Sequence, residues 1–184
     1  MVKVCAAINV TVDGVFDHTS VTPDSQVHDH YTQLLQNSDV ILFGRKTFQL
    51  MKFWQGILNE PSDEKAINDF AETINNIDKI VFTSTLTSTE WENAKITTLR
   101  LKDQIELLKS QGYKSIVLGS RSLIYQGLEQ NLLNELQICI HPVIAGNGQK
   151  LFDSEMRRFE LVFSDIKTFL SGAVLITYKT KFKE

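Results

Sequence analysis

The feature that most narrows the fold is a recurring unit: a short apolar run, a glycine, then a helix-like run. Val40-Ile41-Leu42-Phe43 leads through Gly44 into Arg45-Lys46-Thr47-Phe48. Downstream, Ser115-Ile116-Val117-Leu118 leads through Gly119 into Ser120-Arg121-Ser122-Leu123. Continuous apolar runs of this length mark strands buried on both faces, as in parallel sheets covered by helices on each side. Where such a strand opens into a helix, the first helical N–H groups are unpaired and the dipole is positive, so the turn suits an anion. Arg45, Lys46 and Arg121 add positive charge there. A third apolar run, Lys79 to Thr83, ends in the hydroxyls Thr83-Ser84-Thr85. Three such ends point to one extended ligand with more than one phosphate, lying across the C-terminal ends of the strands. Singly, each turn also serves as an ordinary strand–helix connection. Neither glycine turn completes a G-x-G-x-x-G or a P-loop.

Read in order, the chain alternates strand and helix through about two-thirds of its length, which predicts a largely parallel sheet. Strands are expected at Val2–Val12, Asp39–Phe43, Lys79–Thr83, around Lys95–Leu99, and at Ser115–Leu118. Helices are expected from Thr22, as N-cap before Pro23, and over Lys46–Met51, Asp63–Ile74, Leu101–Gln111 and Ser120–Gln126. Phe53-Trp54 reads as an aromatic pair beyond the second helix. The last third differs. Leu132–Ile140 reads as a long strand, 141–148 as a glycine-containing loop, and Phe159–Phe169 and Val174–Lys181 as a hairpin turning at Ser171-Gly172. The expected architecture is one α/β domain over 1–184: three layers, α/β/α, with an antiparallel C-terminal hairpin on a mostly parallel sheet.

Composition excludes several classes. The 184 residues carry a net charge of −3 and are 42% hydrophobic, so nothing draws nucleic acid or an anionic membrane wholesale. No apolar run approaches membrane-spanning length, and the start, Met1-Val2-Lys3-Val4, lacks the pattern of a signal peptide. A cytoplasmic location is expected. Cys5 and Cys139 sit in apolar alternating runs and read as reduced core thiols, and no Cys/His spacing points to a metal.

The ordered motifs resemble a known family. Gly44-Arg45-Lys46-Thr47-Phe48 resembles the cofactor-binding turn of dihydrofolate reductase, and Cys5-Ala6-Ala7 through Asp13-Gly14-Val15-Phe16 resembles that fold's first strand and following loop. The chain is more similar to the bacterial dihydrofolate-reductase-like proteins related to the reductase domain of riboflavin biosynthesis. The recurring pieces there are Phe53-Trp54, Lys79 to Leu86, Trp91-Glu92-Asn93-Ala94, Val117-Leu118-Gly119-Ser120, Asn134-Glu135-Leu136 and Pro142 to Phe152. They cover nearly the whole chain in the expected order.

The resemblance implies NADPH as cofactor and a dihydrofolate reductase-like fold. It places Gly44, Arg45, Lys46 and Thr47 at the phosphates, Thr83, Ser84 and Thr85 near the adenosine 2′-phosphate, and Gly119, Ser120, Arg121, Ser122 and Leu123 on the other side of the pyrophosphate. Ala7 and the backbone near Asp13 line the nicotinamide. It also implies a homodimer, for which the apolar C-terminal strands offer a surface. True dihydrofolate reductases carry a pterin-binding carboxylate on the first helix. Here that place falls near His28, with Asp29 and His30 beside it, and a one-residue offset turns a side chain about 100° round a helix. Dihydrofolate is therefore expected to be a poor substrate.

Asp13, His28 and Glu135 are the candidates for acid–base work, with Asn9 near them; His28 has a titration range that suits neutral pH. Each also has a structural reading: a turn aspartate, a solvated helix residue, a sheet-edge cap. Hydride transfer needs no side-chain nucleophile, only orientation and exclusion of water. The expected function is an NADPH-dependent reductase of a small heteroaromatic, pterin-like or ribosylated-pyrimidine substrate. A non-catalytic nucleotide-binding or regulatory protein is the second reading. Phosphoryl transfer is third, because a P-loop lysine and a magnesium-binding carboxylate pair are both missing.

Overall fold

The computed structural model describes residues 2–152 and 156–181; the outermost ends of the expected 1–184 domain lie outside them. Among these residues eight strands form one sheet: β1 (Lys3–Thr11), β2 (Val40–Gly44), β3 (Asp78–Phe82), β4 (Ala94–Thr97), β5 (Ser115–Leu118), β6 (Glu135–His141), β7 (Leu161–Thr168) and β8 (Val174–Thr180). Their order across the sheet is β4-β3-β2-β5-β1-β6-β8-β7. The pairings from β4 to β6 are parallel, and β8 runs antiparallel to both β6 and β7.

Among the described residues six helices flank the sheet: α1 (Ser25–Gln36), α2 (Arg45–Met51), α3 (Phe53–Asn59), α4 (Lys65–Asn76), α5 (Leu101–Ser110) and α6 (Arg121–Glu129). One core layer packs Leu101, Ile105 and Leu108 of α5 and Leu123, Ile124 and Leu128 of α6 against Val4, Ala6, Leu42, Ile116 and Leu118. On the other face, Leu35, Phe48 and Ile74 cover Ile41, Phe43, Val81 and Val117. Removing one such side chain from water contributes about 1.5–3 kcal/mol. These two layers fix β2 and β5, and with them the two glycine turns.

The boundaries depart from the sequence reading where local chemistry is decided at a distance. Helix α1 starts at Ser25, two residues past the expected first residue Pro23, because Asp24 rather than Thr22 is the N-cap. The Asp24 Oδ1 accepts from Val27 N–H at 2.8 Å and its Oδ2 accepts from Ser171 N–H at 2.9 Å. That second bond ties the helix start to the β7–β8 turn, where Gly172 sits at φ +81°. Phe53 and Trp54 open a helix instead of standing beyond one. Strand β6 starts at Glu135, three residues later than the pattern predicts.

Beyond β1, α5 and α6 no longer cover their face of the sheet. In register across four strands lie Ile8, Ile138, Ile176 and Ile166, and beside them Ala6, Leu136, Tyr178 and Phe163. Phe163 and Ile166 on the edge strand are 59% and 55% exposed. Among the described residues no helix is long and apolar enough to cross a membrane.

Candidate functional site

β1 outruns its neighbour. Its last partner on β5 is Leu118, opposite Ala6, whereas β6 accompanies it as far as Thr11. From Ala7 to Asn9 the strand therefore has a partner on one side only, and all three residues are half-buried although they lie mid-sheet. The small side chain of Ala7 leaves room for a flat group against the backbone. This notch opens beside both glycine turns.

At the first turn, Gly44 is the N-cap of α2, with φ −75° and ψ 158°. Any residue adopts that conformation, so the turn needs no left-handed glycine. What limits the position is proximity: a Cβ there would lie 3.2 Å from Ser122 Oγ and 3.6 Å from Ser120 Oγ. The Gly44 N–H donates to Ser120 Oγ at 2.6 Å, which joins the two turns directly. Ser120 is 3% exposed. Its hydroxyl oxygen and the Gly44 amide thus serve each other, and the ligand-facing groups shift to Arg45, Lys46 and Ser122, all exposed, and to half-buried Thr47. Arg45 and Lys46 have no ion-pair or hydrogen-bond partner among the described residues.

At the second turn, a Cβ on Gly119 would sit 2.5 Å from Phe43 Cε1. This glycine is required by the core rather than by a ligand. Leu123, expected at the cofactor, is 2% exposed and packs in the α5–α6 layer, so its side chain is out of reach. The Arg121 Nε donates to the carbonyls of Lys150 and Leu151, both at 3.0 Å, bracing the 141–152 loop against α6. At the third strand end, Thr83 Oγ1 accepts from the N–H groups of Thr85 and Leu86 and so shapes its own turn. Ser84 and Thr85 are left exposed.

The three acid–base candidates do not come together. Asp13 braces two loops: its carboxylate accepts from Thr11 Oγ1 at 2.6 Å, Ala145 N–H at 3.0 Å and Gly146 N–H at 2.9 Å. These donors, the Thr11 hydroxyl first, hold its carboxyl down at about 2, which keeps it an anion and an acceptor. Lys150 Nζ closes the brace on the Asp13 carbonyl at 2.9 Å. His28 lies on the flank of α1 that faces α3 and α4, edge-on to Trp54 at 5.8 Å and 6.1 Å from Phe70. Its Nδ1 is 3.1 Å from the Asp24 carbonyl, and burial lowers its pKa below the usual imidazole value.

Glu135 lies one same-face pair below Ala7, opposite Cys5. Its oxygens are taken by Lys3 Nζ at 2.9 Å, Gln137 Nε2 at 2.9 Å and the Cys5 thiol at 3.6 Å. Burial raises its pKa, but the bonds from Lys3 and Gln137 outweigh burial and bring it below the ordinary value. A carboxylate held this way is an anchor for the network.

Gln137 and Tyr31, which the sequence reading does not bring to the site, join Asn9, His30 and His141 near the notch. Gln137 Oε1 lies 2.9 Å from His30 Nε2. Because ionised Glu135 accepts from the Gln137 amide, the Gln137 oxygen is turned to His30, whose Nε2 must carry the proton. One rung higher, Asn9 Oδ1 accepts from Tyr31 OH at 3.1 Å and lies 3.0 Å from His141 Nε2. The signal was present in the chain: Glu135, Gln137, Cys139 and His141 alternate along β6, which puts them all on one face.

Comparison with known proteins agrees with this fold. A Bacillus subtilis relative, the uncharacterized protein YyaP, is 28% identical over 96% of this chain and 94% of its own length. A putative riboflavin biosynthesis protein from Shewanella sp. PV-4 superposes with a TM-score of 0.74 at 18% identity, over 99% of this chain and all 100% of that one. A pyrimidine reductase-like protein from Corynebacterium diphtheriae gives 0.69 at 15% identity, covering 98% and 92% of the two chains. RibD of Acinetobacter baumannii gives 0.73 at 12% identity, with 99% of this chain spanning 59% of that protein. At these identities the solved structures speak for the fold. The sequence itself matches the RibD C-terminal domain over residues 2–175, and with the notch and both glycine turns inside that span, the chain belongs to the RibD C-terminal domain family.

Proposed function

We propose that the protein is an NADPH-dependent reductase of a small heteroaromatic substrate in the ribosylated-pyrimidine or pterin class. The observation that carries this reading is the notch itself: half-open Ala7 on a strand edge without a partner, flanked by exposed Arg45, Lys46, Ser84, Thr85 and Ser122. That set fits a flat ring at one end and phosphates at the other. Family membership and the names of two structural relatives, a riboflavin biosynthesis protein and a pyrimidine reductase-like protein, support the substrate class.

In this reading NADPH supplies the hydride when bound. The chain's own residues do the rest. Arg45, Lys46, Thr47 and Ser122 bind the pyrophosphate, and Ser84 and Thr85 face the 2′-phosphate. Ala7 admits the ring, and the loops braced by Asp13 and Lys150 wall off water. The engaged state of Asp13 and Glu135 favours a second reading, a nucleotide-binding protein without turnover. We also propose a homodimer, with the uncovered isoleucine row of β1, β6, β8 and β7 facing a second copy.

Fluorescence titration tests the cofactor. One charge-assisted contact contributes about 1.5–3 kcal/mol, so NADPH is expected to bind about 10- to 150-fold more tightly than NADH. Equal dissociation constants overturn the phosphate assignment. NADPH binding without oxidation by any pyrimidine or pterin acceptor leaves the second reading.

A further inference from the structure

Asn9 carries a feature that a packing role does not require. It lies on the same face of β1 as Ala7, at the next side-chain position into the notch, and is half-buried. Its Oδ1 is approached by two groups, Tyr31 OH at 3.1 Å and His141 Nε2 at 3.0 Å. The amide is turned with its oxygen toward Tyr31 and His141. Burial keeps the Tyr31 phenol protonated, far above its usual pKa, and its O–H donates to Asn9 Oδ1. His141 Nε2 then donates to the same oxygen. Both lone pairs are used, and the amide is pinned.

The amide's other end is therefore fixed as well. Asn9 Nδ2 has no partner among the described residues. It is also not buried, because Thr32 Oγ1 is the one buried side-chain nitrogen or oxygen among them without a hydrogen bond. Two N–H donors are thus left accessible at the strand position next to Ala7 on the same face. A carboxylate would take the Tyr31 and His141 donors more strongly than an amide does. The NH2 group adds nothing to the clamp; it is useful only to something in the notch.

We propose that Asn9 is a specificity-determining residue, whose pinned NH2 group donates to an oxo group on the edge of a planar heterocycle lying over Ala7. This rests on the reductase reading of the same notch. Oxo-pyrimidines present such an edge. Heterocycles with amino groups at those places present donors to donors and are rejected.

The test compares wild type with Asn9→Asp in the full-length protein saturated with NADPH. The probes are uracil and the diaminopyrimidine in which amino groups replace both uracil oxygens, each titrated by ligand-observed NMR. Melting temperature and NADPH affinity are measured on the same samples. The aspartate keeps both clamp bonds and replaces the donor pair by an acceptor. Uracil affinity is expected to fall about 5- to 150-fold, as for one unpaired polar group, while the diaminopyrimidine gains and NADPH affinity and melting stay near wild type. Uracil binding equal to wild type in a folded, NADPH-binding Asn9→Asp protein overturns the assignment. So does a wild type that binds NADPH but neither probe. A wild type that does not bind NADPH refutes the reductase reading instead. Should Asn9→Asp fail to fold, Tyr31→Phe releases one side of the clamp and lets the amide turn. Discrimination between the probes then falls at least about 5-fold, and unchanged discrimination overturns the proposal.

Discussion

Gly44 and Gly119 look alike in the sequence, yet the structure predicts opposite consequences for an added methyl group. At Gly119 the new Cβ would lie 2.5 and 2.9 Å from two ring atoms of Phe43 and 3.1 Å from Ile41 Cδ1, all in the core. Phe43 is 2% exposed and has nowhere to move. Overpacking of this kind costs about 1–3 kcal/mol, which for a domain of this size lowers the melting temperature by about 2–12 °C. At Gly44 the backbone angles are open to alanine, and the nearest atom is the hydroxyl of exposed Ser122, which can rotate aside. Alanine there also narrows the unfolded ensemble, a gain of about 0.4–1 kcal/mol. Gly44→Ala is therefore expected to melt at or slightly above wild type. If the pyrophosphate passes over this turn, the methyl group displaces it, and NADPH affinity falls about 10- to 150-fold. Gly119→Ala is expected to show the reverse: a lower melting temperature, with near-normal affinity in the folded fraction. Calorimetry and fluorescence titration on the same samples separate the two. A Gly44→Ala protein that melts as low as Gly119→Ala while binding NADPH normally refutes the placement of the cofactor.

Two further predictions concern stability and assembly. Lys79 Nζ is fully buried, donates to the carbonyls of Asn75 at 2.9 Å and Ile77 at 2.7 Å, and is lowered by burial from 10.5 to about 8. The folded state therefore binds this proton less tightly than the unfolded chain, so the group's contribution to stability increases by about 3 kcal/mol as pH rises through that window. Lys79→Met removes the slope, read as the difference in urea-unfolding free energy between the two proteins from about pH 7 to 11; parallel curves refute it. For the dimer, Ile166→Lys places a charge in the isoleucine row and is expected to convert a sedimenting dimer into a folded monomer. A wild type that sediments as a monomer at about micromolar concentration refutes that interface.

The sequence was most legible where a physical signal is local. The apolar runs of β2 and β5 could hardly be anything but covered strands, and Ser171-Gly172 announced its hairpin. The alternation strand–helix was enough to expect a parallel sheet, and the ordered motifs carried the family. Legibility failed where partners are distant in the chain. Gly44 N–H and Ser120 Oγ meet across 76 residues, and Asp13 reaches Ala145 across 132. Turns read together as a ligand cradle thus prove to be partly bound to each other. Glu135 stayed open between an acid–base role and a sheet-edge cap because Lys3 and Gln137 converge on it only once β1 and β6 pair. Helix α3 was hidden because Phe53–Asn59 is short, contains Gly56 and has no side-chain cap. His28 and His30, two positions apart on α1, are sent to opposite flanks by the helical turn, and composition alone gives no preference between them.

The placement of the two tryptophans gives the molecule a pair of separate optical reporters. Trp91 is 5% exposed, donates its indole N–H to Asn75 Oδ1 at 3.0 Å, and has the Lys79 ammonium 4.4 Å above its ring. Its emission should be that of a dry indole whose colour depends on whether the neighbouring amine is charged. Trp54 is half-buried at the α1–α3 seam, edge-on to the His28 imidazole. A protonated imidazole quenches indole light, so Trp54 dims as His28 takes up its proton in mild acid, whereas Trp91 changes as Lys79 loses its proton at about 8. The two ends of the α4 layer thus announce their ionisation on opposite sides of neutrality, without any label attached.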